Sequence, residues 1–259
     1  MNRTVIEHVL SRLYDIGIRD VFGVPGDYAF PVNDAICNST QPRWIGCCNE
    51  LNAAYAADGY ARVKGFGALC TTYGVGELSA LNGIAGAYAE HLPIFHLVGT
   101  PNMATQAGRA AMHHTLGNGE YELFQRMTEP VVCATAVMTP QNVAYETERL
   151  IAAALYHRRP VYSAPTISMG LGFARMPRTA TFHNQTLWGS IGWATPAAFG
   201  AAVAAPDRRV VLFTGEGSHQ FTAQEISQFG RLGLKPVVFV LNNSGYLIER
   251  LLCKDPSIA

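Results

Sequence analysis

Two short polar segments, Gly215–Ser218 and Asn242–Gly245, carry the side chains best suited to bind a metal ion. Each segment follows an apolar stretch that predicts a buried strand, and carboxyl ends of parallel strands collect ligands. We therefore expect Glu216 and Asn243 to lie close together, with oxygens of the kind that Mg²⁺ or Ca²⁺ prefers. N–H groups of the Gly217-Ser218 turn would hold a diphosphate on the same ion. A Rossmann-type nucleotide turn is the alternative, but the segment lacks Gly-x-Gly-x-x-Gly.

Two glutamates are candidates for acid–base chemistry. Glu50 directly precedes a helix that the sequence predicts from Leu51, and Glu249 follows the Asn-Asn segment by a few residues. Each also has an ordinary structural interpretation. Glu50 could simply stabilise a helix N-terminus, and Glu249 could form an ion pair with a neighbouring arginine or lysine.

Asp27 and the adjacent histidines His113 and His114 form a further set of candidates. Histidine titrates near neutral pH, so such a pair suits proton transfer. The alternatives are a turn residue for Asp27, which follows Pro-Gly, and an inert surface loop for the histidines.

The composition excludes several classes of protein. The chain has 259 residues, a formal net charge of 0, 49 % apolar residues and 15 % charged residues, which predicts one large or two small globular domains. A neutral chain without basic runs is a poor candidate for binding nucleic acid or an anionic membrane. The start of the sequence predicts an amphipathic helix and no signal peptide, and no apolar run is long enough to span a bilayer. Six cysteines without a Cys-x-x-Cys pair are typical of a reducing cytoplasm.

Alternating short apolar strands and helical segments predict an α/β fold with doubly wound parallel sheets. Apolar residues recur at helical spacing from Val5 to Leu13, and Gly17 is placed to end that helix. Strands are predicted at 20–24, 44–48, 68–72, 94–98 and 160–162, and helices from Leu51, from Leu78 and over 140–157. The predicted organisation is a domain at 1–162, a Pro- and Gly-containing junction at 163–180 and a second domain at 181–259, whose first helix covers 193–205.

Several blocks of sequence resemble the thiamine diphosphate-dependent 2-oxoacid decarboxylases, the group of the indolepyruvate, phenylpyruvate and pyruvate decarboxylases. Residues 1–162 resemble their pyrimidine-binding domain through Phe22–Tyr28, Cys48–Arg62, Gly74–Ala80 and His113–Thr115. The second part resembles their diphosphate-binding domain through Leu187–Trp193 and the metal motif, where Glu216 stands in place of the usual aspartate.

The resemblance implies non-oxidative decarboxylation of a 2-oxo acid to an aldehyde and CO₂, with thiamine diphosphate and Mg²⁺. It assigns roles residue by residue. Glu50, with a raised pKa, would contact the pyrimidine ring, and Ile191 would be the apolar wedge that bends the cofactor. The full implied set is catalytic residues Glu50, Asp27, His113, His114 and Glu249; cofactor-binding residues Glu50, Val75, Gly189, Ile191, Gly217, Ser218 and Asn243; and metal ligands Glu216, Asn243 and the Gly245 carbonyl.

The resemblance also implies a substrate class and an assembly. The pocket would be lined by Ser168, Ile248 and Leu252, and a serine at position 168 leaves room for large aromatic or branched 2-oxo acids over pyruvate. A homodimer or homotetramer is expected, in which Glu50 and Asn243 of one site come from different chains.

The chain departs from the family pattern in length. Family members are roughly twice as long and place a central domain between the two cofactor-binding ones, whereas this chain lacks that domain, the first strand–helix unit of the second domain and its last strands. A cofactor-binding but weakly active or inactive shortened form is therefore an alternative. An acetolactate synthase-like carboligase is another, disfavoured by the paired histidines, and a non-enzymatic α/β binding module is a third.

Overall fold

The computed structural model describes residues 4–39, 42–164, 183, 185 and 188–246. The first part of the chain forms a parallel sheet of six strands in the order β2-β1-β3-β4-β6-β5, which confirms the predicted α/β class. These strands are β1 (Asp20–Gly23), β2 (Arg43–Gly46), β3 (Gly67–Thr71), β4 (Ile94–Val98), β5 (Ala134–Val137) and β6 (Val161–Ala164).

Helices cover both faces of this sheet, as expected for a doubly wound fold. The helices of this part are α1 (Val5–Asp15), α2 (Phe30–Cys37), α3 (Glu50–Lys64), α4 (Val75–Ala89), α5 (Met103–Ala107), α6 (Leu123–Thr128) and α7 (Val143–His157). Apolar side chains of α1, α2 and α7 pack on one face, and those of α3 and α4 pack on the other. Thr4 and Glu7 cap the start of α1 reciprocally, and Gly17, with a φ of +109°, follows its end as predicted.

The structure corrects several predicted boundaries in this domain. Strand β5 and helix α2 were not predicted, and α4 begins at Val75 instead of Leu78. Strand β6 continues through Ser163 and Ala164, which the sequence placed in the junction. These two residues pair with Ala136 and Val137 of β5. Because β5 was not predicted, the extension of β6 along it was not predicted either.

The second described part is a smaller α/β unit. It contains α8 (Ala194–Ala204), β7 (Val211–Gly215), α9 (Glu216–Phe221), α10 (Ile226–Arg231) and β8 (Val237–Leu241). Strands β7 and β8 pair in parallel, as predicted, and the rings of Phe213 and Phe239 stack at 4.8 Å on an exposed face. The predicted turn at Gly215–Ser218 is wrong in detail, because Glu216 begins helix α9.

The strand order creates a crevice at one edge of the six-stranded sheet. Strand β2 lies on one side of β1, and β3 lies on the other side. The connection that leaves β1 and the connection that leaves β3 therefore run in opposite directions along the sheet, which opens a crevice between these two strands. Ligands of open α/β sheets bind outside the carboxyl ends of the strands at such a reversal. Asp27 follows β1, Glu50 follows β2 and Gly74 follows β3. None of the helices in the described part of the chain combines the length and the apolar surface that crossing a bilayer requires.

Candidate active site

Asp27, His113 and His114 come together at this crevice, as the sequence predicted. Nε2 of His113 lies 2.6 Å from Oδ2 of Asp27, and Nδ1 of His114 lies 3.9 Å from Oδ1 of the same carboxylate. The two imidazole rings meet edge to face with centroids 4.5 Å apart. One carboxylate therefore faces two imidazoles, an arrangement able to hold and pass on a proton.

A cluster of aromatic side chains holds the loop that carries the histidines. The ring of Tyr28 stacks on His113 with centroids 4.8 Å apart, and its hydroxyl lies 3.3 Å from Nδ1 of that histidine. Tyr73 and Phe124 pack beside Tyr28, and the Tyr73 hydroxyl donates to the backbone carbonyl of Tyr121 at 2.9 Å. Burial raises the pKa of Tyr28, so its hydroxyl stays protonated at neutral pH. Tyr28 was not assigned a role from the sequence, although it directly follows Asp27.

Glycines at the start of α4 let backbone and side chains of the site approach closely. Gly74 has a φ of +64°, and a Cβ atom there would overlap the backbone carbonyl oxygen of His114. A Cβ atom at Gly76 would lie 3.3 Å from Oε1 of Glu50. Val75, the first residue of the helix, therefore lies between a residue close to the His114 backbone and a residue close to the Glu50 carboxyl. Its place beside the cofactor stays a prediction.

Glu50 is a buried carboxyl group at the first position of α3. The side chain of Asn49 caps the helix by accepting the N–H of Asn52 at 2.8 Å. Burial raises the pKa of Glu50 to about 7, because removal from water penalises the charged form more than the hydrogen bond from its own backbone N–H favours it.

Glu77 is a second buried carboxyl group that the sequence analysis did not single out. Its Oε1 atom accepts the N–H of Gly74 at 2.8 Å, and its Oε2 atom accepts the hydroxyl of Tyr162 at 2.8 Å. Burial raises its pKa to about 7 against the lowering effect of these two donors. Its three-residue spacing from Gly74 is the sequence signal of a capping carboxylate.

His114 also joins the two described parts of the chain. Burial lowers its pKa to about 4, and the opposing effects of Asp27 and of a hydrogen bond with the backbone of Gly189 are smaller. Gly189 has a φ of +65°, and a Cβ atom there would lie 3.3 Å from the His114 ring. The ring of Trp188 packs edge to face on Phe124 at 5.6 Å. The segment predicted to bind the cofactor therefore lies against the histidines within one chain.

The predicted metal ligands also converge. Oε1 of Glu216 accepts the backbone N–H of Gly245 at 2.6 Å. The terminal amide of Asn243 lies 3.1 Å from the same Oε1 and contacts the carbonyl oxygen of Gly245. With its nitrogen turned inward, the amide donates to both oxygens. With its oxygen turned inward, as in a metal site, the amide would face the oxygens of Glu216 and Gly245, and a hard cation would offset the repulsion between these oxygens.

Donors suited to a diphosphate lie close to these oxygens. The hydroxyl oxygen of Ser218 accepts the N–H of Gly192 at 3.0 Å, which leaves its own proton for a phosphate oxygen. Gly217 is buried against the ring of Tyr246. Ile191 is half-buried between Gly189 and Gly192 in the segment that contacts His114. The residues present therefore fit both the metal and a diphosphate.

Four predicted site residues lie outside the described part of the chain: Ser168, Ile248, Glu249 and Leu252. The substrate pocket and the second catalytic glutamate consequently stay predictions.

Comparisons with known proteins agree with this geometry. Residues 3–121 match the family described as thiamine pyrophosphate enzyme, N-terminal TPP binding domain, and residues 166–256 match the corresponding C-terminal TPP binding domain. The chain is 26 % identical to proteins named alpha-keto-acid decarboxylase. One is from Mycobacterium ulcerans (strain Agy99), with 96 % of this chain and 83 % of the relative covered; another is from Mycobacterium avium (strain 104), with the same coverage. A third, from Mycobacterium tuberculosis (strain ATCC 25618 / H37Rv), is covered over 84 % of its length.

This chain belongs to the thiamine diphosphate-dependent 2-oxo acid decarboxylase family. The alignments with these relatives extend over 468 positions, more than the 259 residues of this chain. The relatives therefore carry many residues without a counterpart here.

Proposed function

We propose that this chain binds thiamine diphosphate with Mg²⁺ and catalyses the non-oxidative decarboxylation of a 2-oxo acid to an aldehyde and CO₂. One observation carries the proposal: the sheet gathers the buried Glu50 and the Asp27–His113–His114 cluster at one carboxyl edge. When bound, thiamine diphosphate supplies the group that accepts the electrons released as CO₂ leaves. The residues of the chain orient the reactants, exclude water and move protons.

Glu50 would act as the group that exchanges a proton with the bound cofactor. Because burial raises its pKa to about 7, the carboxyl is present in both protonation states near neutral pH. A group whose pKa lies near the working pH is an efficient proton carrier in both directions. The closeness of Oε1 to Gly76 aims the carboxyl at the start of α4, beside Val75.

The Asp27–His113 pair would hold the proton that replaces CO₂ on the substrate carbon. The 2.6 Å separation of Oδ2 and Nε2 is short enough for one proton to be shared between them. His114, with a pKa lowered to about 4, is neutral at pH 7. It therefore adds no positive charge that would stabilise the departing carboxylate in its ground state.

Glu216, Asn243 and the carbonyl of Gly245 would hold Mg²⁺, which offsets the negative charge of the diphosphate. The convergence of three oxygen-bearing groups in the described structure supports this choice. The hydroxyl of Ser218 and the backbone at Gly217 would contact the diphosphate itself.

The test measures CO₂ and aldehyde release from pyruvate, phenylpyruvate and indolepyruvate by the chain with thiamine diphosphate and Mg²⁺. We expect slow turnover that Glu50→Gln lowers by at least about 100-fold. Cofactor binding by calorimetry without any CO₂ release would instead support the inactive alternative. Release of CO₂ with a carbon–carbon ligated product would support a carboligase.

The proposal includes a homo-oligomer in which the first part of one chain and the second part of its partner together form each active site. In this structure Gly189 contacts His114 within one chain, and the same contact would form between chains if two copies exchanged their second parts. Mixing Glu50→Gln and Glu216→Ala chains during refolding tests this. With exchanged halves, a mixed dimer has one intact site, so about a quarter of the wild-type activity should return. A mixture as inactive as either variant alone would show that each site is built from one chain.

A further inference from the structure

The tautomer of His113 decides which of its ring nitrogens carries a free lone pair. The Tyr28 hydroxyl lies 3.3 Å from the backbone carbonyl oxygen of His113 and 3.3 Å from Nδ1 of the same residue. In the tautomer with the proton on Nδ1, the hydroxyl donates to the carbonyl and its oxygen accepts Nδ1–H. A neutral His113 in this tautomer directs the lone pair of Nε2 at the carboxylate of Asp27, only 2.6 Å away. Two electron pairs at this distance need a positive centre between them, either a proton or a metal ion.

Backbone conformation turns His114 to the same carboxylate. Consecutive side chains of an extended segment point in opposite directions, but His114 has a φ of +57°. Its Nδ1 atom is buried, makes no hydrogen bond and lies 3.9 Å from Oδ1 of Asp27. This nitrogen is thus an unused donor atom aimed at the same position as Nε2 of His113.

We propose that Asp27, His113 and His114 form a binding site for a transition-metal ion of the Zn²⁺ class, separate from the all-oxygen Mg²⁺ site. The three ligand atoms lie within 4.8 Å of one another. Ligands about 2.1 Å from a tetrahedral Zn²⁺ lie about 3.4 Å apart, so small side-chain rotations suffice. Two imidazoles and a carboxylate suit Zn²⁺, Co²⁺ or Fe²⁺, whereas Mg²⁺ prefers oxygen ligands throughout.

The contacts around these ligands are those that support metal-binding histidines. In this tautomer the Tyr28 oxygen accepts Nδ1–H of His113, and the other side of the His114 ring lies against Gly189. Such second partners fix the ring orientation and the tautomer. The ion would replace the proton between Asp27 and His113. If the proposed function is correct, the same ion blocks proton transfer and inhibits turnover.

Cobalt provides a probe that does not depend on activity. The chain is titrated with Co²⁺ under saturating Mg²⁺, without thiamine diphosphate or substrate, and the visible absorption of the bound ion is followed. We expect one Co²⁺ per chain that Zn²⁺ displaces and Mg²⁺ does not. Asp27→Asn and His113→Gln should each weaken binding by at least about tenfold. The matched control His157→Gln, which alters an exposed histidine at the end of α7, should bind as the wild type does.

Wild-type affinity in both Asp27→Asn and His113→Gln would overturn the proposal, as would displacement of Co²⁺ by Mg²⁺. Histidine NMR of the unaltered chain gives a readout that does not depend on whether the variants fold. Zn²⁺ should shift the ring signals of His113 and His114, and unshifted signals at saturating Zn²⁺ would also overturn the proposal. Because substrate and cofactor are left out, this result is independent of whether the chain is a decarboxylase.

Discussion

Nε2 of His113 lies 2.6 Å from Oδ2 of Asp27, although 86 positions separate the two residues in the sequence. Asp27 follows β1, and His113 lies in a loop beyond β4, so the contact exists only because the sheet order brings these carboxyl ends together. A substitution that shifts the backbone beneath this loop should therefore alter the geometry of the Asp27–His113–His114 cluster, even when it replaces none of these three side chains.

Gly74→Ala should destabilise the chain and disturb His114. The residue has a φ of +64°, and the added Cβ would overlap the His114 carbonyl oxygen. We expect a loss of at least about 2 kcal/mol in the free energy of unfolding, measured in urea. Gly86→Ala is the matched control in the same helix, where a Cβ meets nothing within 4 Å. It should stabilise the chain by about 0.5–1 kcal/mol, and equal effects of the two changes would contradict the steric argument.

Glu50→Gln should change how stability depends on pH. The folded pKa of about 7 lies above the ordinary value of 4.5, so the folded state binds more protons than the unfolded state between these values. Stability of the wild type relative to the variant should therefore fall as pH rises from about 4.5 to 7, by up to about 3 kcal/mol, and then level off. Urea unfolding across this range measures it, with the exposed Glu129→Gln as the control for loss of one carboxyl. A constant difference between wild type and Glu50→Gln would refute the raised pKa.

Glu216→Asp should retain Mg²⁺ binding, whereas Glu216→Ala should weaken it by at least about tenfold. The carboxylate supplies charge and a ligand oxygen, while one methylene only changes its reach. The side chain also accepts the N–H of Gly245, so the alanine variant loses a contact between the start of α9 and the Asn242–Gly245 segment. Calorimetric titration of Mg²⁺ with thiamine diphosphate present is the measurement. Unchanged binding by the alanine variant would defeat the metal assignment.

Tyr28→Phe should lower Co²⁺ affinity about tenfold while leaving the fold in place. The phenyl ring keeps the stack on His113, but the acceptor for Nδ1–H is lost. The free energy of unfolding should fall by only about 1 kcal/mol, the usual net value of one hydrogen bond. Tyr73→Phe is the control, because the hydroxyl of Tyr73 donates to a backbone carbonyl away from the histidines. The difference in Co²⁺ affinity between the two variants isolates the contribution of the Tyr28 hydroxyl. Equal Co²⁺ affinities in the two variants would argue against a supporting role for Tyr28.

Helical periodicity from Val5 to Leu13 and the short apolar strands were enough to predict the α/β class, because burial on two sheet faces imposes those patterns. The convergence of Asp27 with His113 needed the family resemblance, since spacing along the chain does not reveal contacts across 86 positions. Strand β5 has four residues and became recognisable only through its pairing with β6. The role of Glu77 was missed because its partner Tyr162 lies on a distant strand.

The pair of strands β7 and β8 has a practical consequence for handling the protein. Within the described residues each strand has one neighbour, and the rings of Phe213 and Phe239 are 63 % and 47 % exposed. Unpaired strand edges beside apolar rings are templates on which further β-structure can grow. Loss of material in storage should therefore accelerate with protein concentration. Dilute samples, or a charged residue introduced at position 213, should extend the working lifetime of preparations for spectroscopy and calorimetry.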